Sequence, residues 1–187
     1  MIIGLIGQKQ QGKSTFANHI IKEYGFEEYS FAGSLKEACK IIFCLDDEQM
    51  NGSLKETMDE RWGMSPRDMF VEVGTSLFRE HLPSINSNFN EEIGENIWVK
   101  RFEFWYAKWN KENPNKNLVV SDVRFMNEAR VIKNLGGTLI GIKGKVHFHE
   151  AHITEMLINY CPCKIYIENK GTLEEYYENI DDLMKKI

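Results

Sequence analysis

The chain alternates between short apolar runs and longer stretches of helical periodicity. Ile2-Ile3-Gly4-Leu5-Ile6, Leu118-Val119-Val120-Ser121-Asp122 and Thr138-Leu139-Ile140-Gly141-Ile142 are dominated by apolar residues. Two further runs, Glu28–Phe31 and Lys164–Glu168, bring the candidate strands to five. Short runs without polar alternation suit strands that are buried on both faces. Helical patterns lie between them at Lys13–Tyr24, Leu35–Phe43, Ser65–His81, Ile97–Lys111, Met126–Leu135 and Thr172–Lys186. Phe70, Val73, Leu77 and Phe78 mark the inward face of the third. Leu173, Tyr176, Tyr177, Ile180 and Leu183 mark that of the last. This alternation predicts an α/β three-layer sandwich, with a mostly parallel five-stranded sheet covered on both sides.

Local signals set the boundaries. Gly25 stands where a helix C-cap belongs. Ser34 reads as an N-cap, with Glu37 completing a capping box. Ser65 is another N-cap, with Pro66 at the first helical position. The polar stretch Asp46–Asp59 carries Asn51-Gly52 and reads as a loop. The Asn- and Ser-rich run Pro83–Asn96 reads as exposed, and Gly144–Pro162 as irregular with a helical candidate at Ile153–Ile158. The aromatic stretch holding Trp98, Phe102, Phe104, Trp105, Tyr106 and Trp109 is read as core packing rather than as a base-stacking platform.

The first strand runs into Gly7-Gln8-Lys9-Gln10-Gln11-Gly12-Lys13-Ser14, and Thr15 continues into a helix. Strand, glycine-bounded loop, Lys-Ser and helix is the phosphate-binding loop in the context it needs, so the sandwich is of the P-loop NTPase type. Gly7 and Gly12 permit backbone angles that a side chain would block. Successive N–H groups then turn inward around an anion, aided by the positive end of the helix. Lys13 supplies a point charge to the outer phosphates, and Ser14 a hydroxyl to Mg²⁺.

Asp122 ends the largely apolar strand Leu118–Asp122, where a second metal-organising carboxylate belongs. A helix N-cap is its plainer alternative. Arg124 returns to the same face two residues later, within reach of the same phosphates, or it is a surface arginine. Lys36, Arg61, Arg67 and Arg79 precede Asp122 and suit a second, phosphorylated substrate, though each alone also reads as a solvated charge.

Composition narrows the setting. A chain of 187 residues with 42% hydrophobic content forms one compact domain. Its formal charge of −5 does not favour a nucleic acid partner. No apolar run is long enough to span a membrane, and no signal peptide is legible, so the expected place is the cytoplasm. Cys39, Cys44, Cys161 and Cys163 then read as thiols. His147, His149 and His152, with Glu150, Glu155 and the last two cysteines, are scattered possible metal ligands whose spacing matches no tight zinc pattern. They read as a polar loop. The aromatic helix leaves a homodimer open.

Several stretches together resemble the deoxynucleoside monophosphate kinases of bacteriophages and large DNA viruses. Phe31-Ala32-Gly33-Ser34-Leu35-Lys36-Glu37-Ala38 looks like the family's F-A-x-P-L-K-x-A segment. Ser65-Pro66-Arg67, followed by Gly74-Thr75 and Arg79, looks like its S-P-R…G-T-x-x-x-R helix. Trp98-Val99-Lys100, Ser121-Asp122-Val123-Arg124, His152-Ile153-Thr154-Glu155 and Asn169-Lys170-Gly171-Thr172 fall in the matching order. The resemblance implies an enzyme that phosphorylates (deoxy)nucleoside monophosphates for DNA precursor synthesis, with ATP as co-substrate and Mg²⁺ as cofactor. It would sit in host cytoplasm if viral. Gly7, Gln8, Lys9, Gln10, Gln11, Gly12, Lys13, Ser14 and Thr15 would bind ATP phosphates, and Asn169, Gly171 and Thr172 would meet its adenine. Leu35, Lys36, Arg67, Gly74, Thr75, Arg79 and Trp98 would hold the acceptor, in a helical insertion at about 33–112. Lys13, Asp122 and Arg124 would be catalytic, and Ser14 and Asp122 would hold the metal. A lid at about 143–160 would carry Lys145, His152 and Glu155. Ser34 departs from the family's usual proline. The lid is short of the usual arginines, for which Arg130 and Lys145 are the candidate substitutes. Kinases of dephospho-coenzyme A or phosphomevalonate, and a non-catalytic ATP-binding protein, are the alternatives.

Overall fold

The computed structural model describes residues 1–144 and 163–187. Five strands form one sheet in the order β2-β3-β1-β4-β5, and every pairing in it is parallel. The strands are β1 (Ile2–Ile6), β2 (Glu27–Tyr29), β3 (Leu118–Val120), β4 (Thr138–Gly144) and β5 (Ile165–Asn169). All residues of β1 and β3 are buried, as the absence of polar alternation requires.

The chain divides into two compact units. One comprises Met1–Ser30 and Trp105–Ile187, and the other Phe31–Phe104. In the first, helices α1 (Lys13–Tyr24) and α8 (Leu173–Met184) cover one face of the sheet. Ile3, Leu5, Phe16, Ile20, Val119, Ile140, Tyr176 and Ile180 form their shared core. Fully burying each large aliphatic side chain of this kind contributes roughly 1.5–3 kcal/mol. Helix α7 (Met126–Asn134) lies on the opposite face. A β-carbon on Gly4 would stand 2.8 Å from Ile132 Cδ1, so the strand and helix touch there. Gly25 ends α1 with φ 67°, and its N–H bonds back to Ile21 as a C-cap should.

The second unit contains α2 (Gly33–Ile42), α3 (Asp47–Asn51), α4 (Pro66–Val71), a π-helix over Glu72–His81 and α5 (Leu82–Ile85). Helix α6 (Glu91–Glu112) begins in this unit and runs on into the other. Leu35, Cys39, Leu45, Met50, Met69 and Phe70 build the unit's own core. Burial holds the Cys39 thiol up at about 11, so it stays protonated.

Several local expectations change. Helix α2 starts at Gly33, with Ala32 as its N-cap residue, so Ser34 lies inside the first turn and forms no cap. The expected loop after Asp46 instead holds α3. Asp46 accepts from the Gln49 N–H at 2.9 Å, and Gln49 Oε1 accepts from the Asp46 N–H at 3.1 Å. That capping box was hidden by its polar surroundings. Arg61, a candidate for a phosphate, grips buried Asp59 at 2.6 Å and holds that carboxyl well below the usual range. The helical pattern expected to stop at His81 continues directly into α5, with Pro83 in its first turn. Helix α6 begins earlier than expected, at Glu91. The aromatic stripe is largely packing: Phe102 and Trp109 are buried, and Trp105 stacks on Trp109 at 5.7 Å, while Phe104 is exposed. The helical candidate at 153–158 lies outside the described residues.

Candidate active site

The loop from Gly7 to Ser14 follows β1 and opens α1. Gly12 adopts φ 101°, which a side-chain-bearing residue rarely does. Gly7 does not take a left-handed angle, contrary to expectation. Its constraint is space: a β-carbon there would stand 3.1 Å from Ile142 O. Gln10 takes the left-handed turn instead, at φ 66°.

The loop is braced from inside and from below. Gln11 is buried; its Oε1 accepts from the Gln8 N–H at 2.8 Å, and its Nε2 donates to Gln8 Oε1 at 3.2 Å. Two loop N–H groups expected to face an anion, those of Gln8 and Gln11, are therefore engaged within the loop. Asn169, at the end of β5, donates to Gln11 O at 3.1 Å. Tyr176 of α8 donates to Gly12 O at 3.3 Å, and burial pushes its phenol up. A β-carbon on Gly12 would stand 2.4 Å from Asn169 Nδ2, so no side chain fits between loop and support. Lys13 rests its ammonium on Gly7 O at 2.6 Å and Gln8 O at 2.7 Å. Ser14 is exposed at the start of α1.

Asp122 follows β3, and Val120 of that strand pairs with both Gly4 of β1 and Tyr29 of β2. Parallel register therefore puts Asp122 at the same sheet edge as the loop. Ser30, just after β2, donates to Asp122 Oδ2 at 2.7 Å. Asp122 is not the cap of α7. That task falls to buried Glu128, whose Oε2 accepts from the Arg124 and Phe125 N–H groups at 2.8 and 3.1 Å. Arg124 is exposed beyond this turn.

The acceptor candidates Leu35, Lys36, Arg67, Gly74, Thr75, Arg79 and Trp98 all belong to the second unit. Leu35 and Gly74 are buried against each other, and Lys36, Arg67, Thr75 and Arg79 are half-buried. Arg79 donates to Glu95 O at 3.1 Å, and Trp98 Nε1 donates to Gly74 O at 3.1 Å. Gly171 and Thr172 are exposed between β5 and α8, where Thr172 caps the helix in a box with Glu175. Lys145, His152 and Glu155, with the histidine-rich stretch, lie outside the described residues. Among the described residues, no three His, Cys, Asp or Glu side chains cluster as metal ligands.

Sequence reasoning missed Ser30, Gln11's internal role, Tyr176's hydroxyl and Glu128. Tyr176 carried the signal of a core position only. Glu128 stood three residues after Phe125, which lacks the polar side chain of an N-cap.

The fold is the α/β sandwich of the P-loop NTPases. It is similar to a dephospho-CoA kinase from Campylobacter jejuni, at TM-score 0.53 and 16% identity, covering 99% of this chain and 96% of that one. It is also similar to a protein from Thermus thermophilus, at TM-score 0.51 and 13% identity, covering 100% and 97%. In sequence, a protein of Acanthamoeba polyphaga mimivirus named as a deoxynucleotide monophosphate kinase is 42% identical over 185 residues. That match covers 96% of this chain and 94% of the viral protein. The pattern of the family described as deoxynucleotide monophosphate kinase matches residues 88–180. The chain belongs to the deoxynucleotide monophosphate kinase family.

Proposed function

We propose that this protein transfers the γ-phosphoryl group of ATP to the α-phosphate of a deoxynucleoside monophosphate, giving a diphosphate. The braced loop ending in Lys13 carries the proposal, because it sets a lysine at the head of a helix, where an anion is favoured. A triphosphate would draw the Lys13 ammonium from two backbone carbonyls into stronger, charge-assisted bonds. Asn169, Gly171 and Thr172 would meet the adenine, with Asn169 also supporting the loop. The second unit would serve as the acceptor-binding insertion. Lys36, Arg67, Thr75 and Arg79 would take the monophosphate, with Leu35, Gly74 and Trp98 shaping that surface. Lys145, His152 and Glu155 would belong to a lid that keeps water out.

The donor set at the sheet edge, a Ser14 hydroxyl and an Asp122 carboxylate steadied by Ser30, is all oxygen and suits Mg²⁺. Bound there, Mg²⁺ would neutralise phosphate charge. The protein's own groups act by position: Lys13 stabilises the transferring phosphoryl oxygens, and Arg124 adds a planar fork of donors. No covalent enzyme intermediate is required.

A panel of deoxy- and ribonucleoside monophosphates, with dephospho-coenzyme A alongside, tests this reading through ATP-dependent diphosphate formation. Turnover on at least one deoxynucleoside monophosphate is expected. Lys13→Ala is expected to reduce kcat at least about a hundredfold while leaving the circular dichroism spectrum unchanged. Turnover on dephospho-coenzyme A alone, or an active Lys13→Ala variant, would overturn it.

A further inference from the structure

Residues Glu72–His81 form a π-helix ten residues long. Such helices are normally single-turn bulges, often at functional sites, because the wide turn packs poorly around its own axis. One this long needs outside support, and three contacts within the second unit supply it. The Trp98 indole N–H donates to Gly74 O at 3.1 Å. Leu35 of α2 lies on Gly74 so closely that a β-carbon there would stand 2.4 Å from Leu35 Cδ2. Gly94 of α6 has no room for a side chain either: a β-carbon would stand 2.4 Å from Pro83 Cγ and 2.8 Å from Arg79 O. The π-helix is thus clamped between α2 and α6, with Phe78 set edge-on to Trp98 at 5.6 Å.

The wide turn changes which residues share a face. With i→i+5 closure, residues four and five apart align, rather than three and four apart. Thr75 then falls between Arg79 and Glu80, and Gly74 comes round towards Arg79. Leu77, which α-helical spacing places inward with Phe70 and Val73, is 41% exposed. The three polar groups Thr75, Arg79 and the Gly74 carbonyl take their settings from this turn, and two are fixed by α6: Arg79 through Glu95 O, and Gly74 through Trp98.

We infer that Trp98 is a positioning residue for the acceptor. Its indole N–H holds the Gly74 carbonyl, keeps the π turn wide and so sets Thr75 and Arg79 to receive the phosphate of a nucleoside monophosphate. The indole N–H is spent on this task and is not offered to the nucleotide. The inference rests on the reading of this helix as the acceptor's.

Trp98→Phe is the test, because it keeps a six-membered ring for Phe78 while removing the N–H together with the five-membered ring that carries it. The expected result is a KM for the deoxynucleoside monophosphate raised about tenfold, the loss of one hydrogen bond, with the KM for ATP unchanged. Gly74→Ala, which collides with Leu35, should produce the same split, and adding Leu35→Ala should restore part of the loss. A merely structural role would lower the melting temperature and leave both KM values alike. A Trp98→Phe enzyme with the wild-type acceptor KM would overturn the inference while wild-type turnover still upheld the proposed activity. Wild-type enzyme inert towards every monophosphate would instead overturn both.

Discussion

Ser34 shows how one side chain can sit against its surroundings. Its hydroxyl is buried without a hydrogen-bond partner among the described residues. Helix α2 begins one residue before it, so the hydroxyl meets no open N–H group to cap. An unmade buried hydrogen bond costs about 1–3 kcal/mol, and a methyl group of similar size avoids that cost. Ser34→Ala is therefore expected to raise stability by up to about 1 kcal/mol, seen as a higher urea midpoint at unchanged slope. A lower midpoint would mean that the hydroxyl has a partner in solution. Gly12 is the opposite case, a residue that suits its place on two counts. Its left-handed backbone and the 2.4 Å approach of Asn169 each independently exclude a side chain.

Elements in this chain are fixed at their ends more firmly than along their lengths. The caps at Gly25, Ser65 and Thr172 act where their residue types say they should. Helix α3 is the strongest test of that rule, because it is five residues long and only Met50 of it is buried. A helix so short has little cooperative stability of its own, so its capping box carries an unusual share. Asp46→Ala should cost about 1 kcal/mol, read from the urea midpoint, without changing KM for either nucleotide. A shift in the acceptor KM would show that α3 has a role in the site as well as in the fold. The π-helix is the reverse case. Its ends are unremarkable, and its length depends on neighbours: Leu35 beneath Gly74 and Trp98 above it.

Within the sheet-bearing unit, a cluster of side chains ties α1 to α8, from opposite ends of the chain. His19 Nε2 and Asp181 Oδ1 are 2.7 Å apart, Tyr24 donates to the same oxygen at 2.9 Å, and His19 stacks on Tyr177 at 4.4 Å. The His19 hydrogen bond, more than Tyr24's, holds the Asp181 carboxyl below its ordinary value. A carboxyl depressed in the folded state adds stability that is complete above its unfolded pKa, about 3.9, and is lost as pH falls through the lower, folded value. Asp181→Asn should therefore melt below wild type at pH 6, with the gap closing as pH drops below about 4. A gap independent of pH would show that shape, not charge, is what Asp181 contributes. Because α1 also carries the phosphate loop, this tie helps to fix the loop's helix as well as the unit's core.

The sequence alone determined the local features: five short strands, the glycine-bounded loop with Lys13 and Ser14, the helix caps at Gly25 and Ser65, and the parallel α/β class. Each is written in neighbouring residues, through backbone allowance, capping hydrogen bonds or hydrophobic period. Tertiary structure decided who meets whom. Asn169 reaches Gln11 across 158 positions, Tyr176 reaches Gly12 across 164, and Ser30 reaches Asp122 across 92. No local pattern marks such partners, since a buried tyrosine and a buried support have the same period. The same reason explains Leu77. Its spacing was that of an inward α-helical residue, and only the packing of Leu35 and Trp98 on Gly74 widened the turn that carries it outward. Local chemistry can be read along a chain, but the competition between neighbours for one space is settled only when the chain is folded.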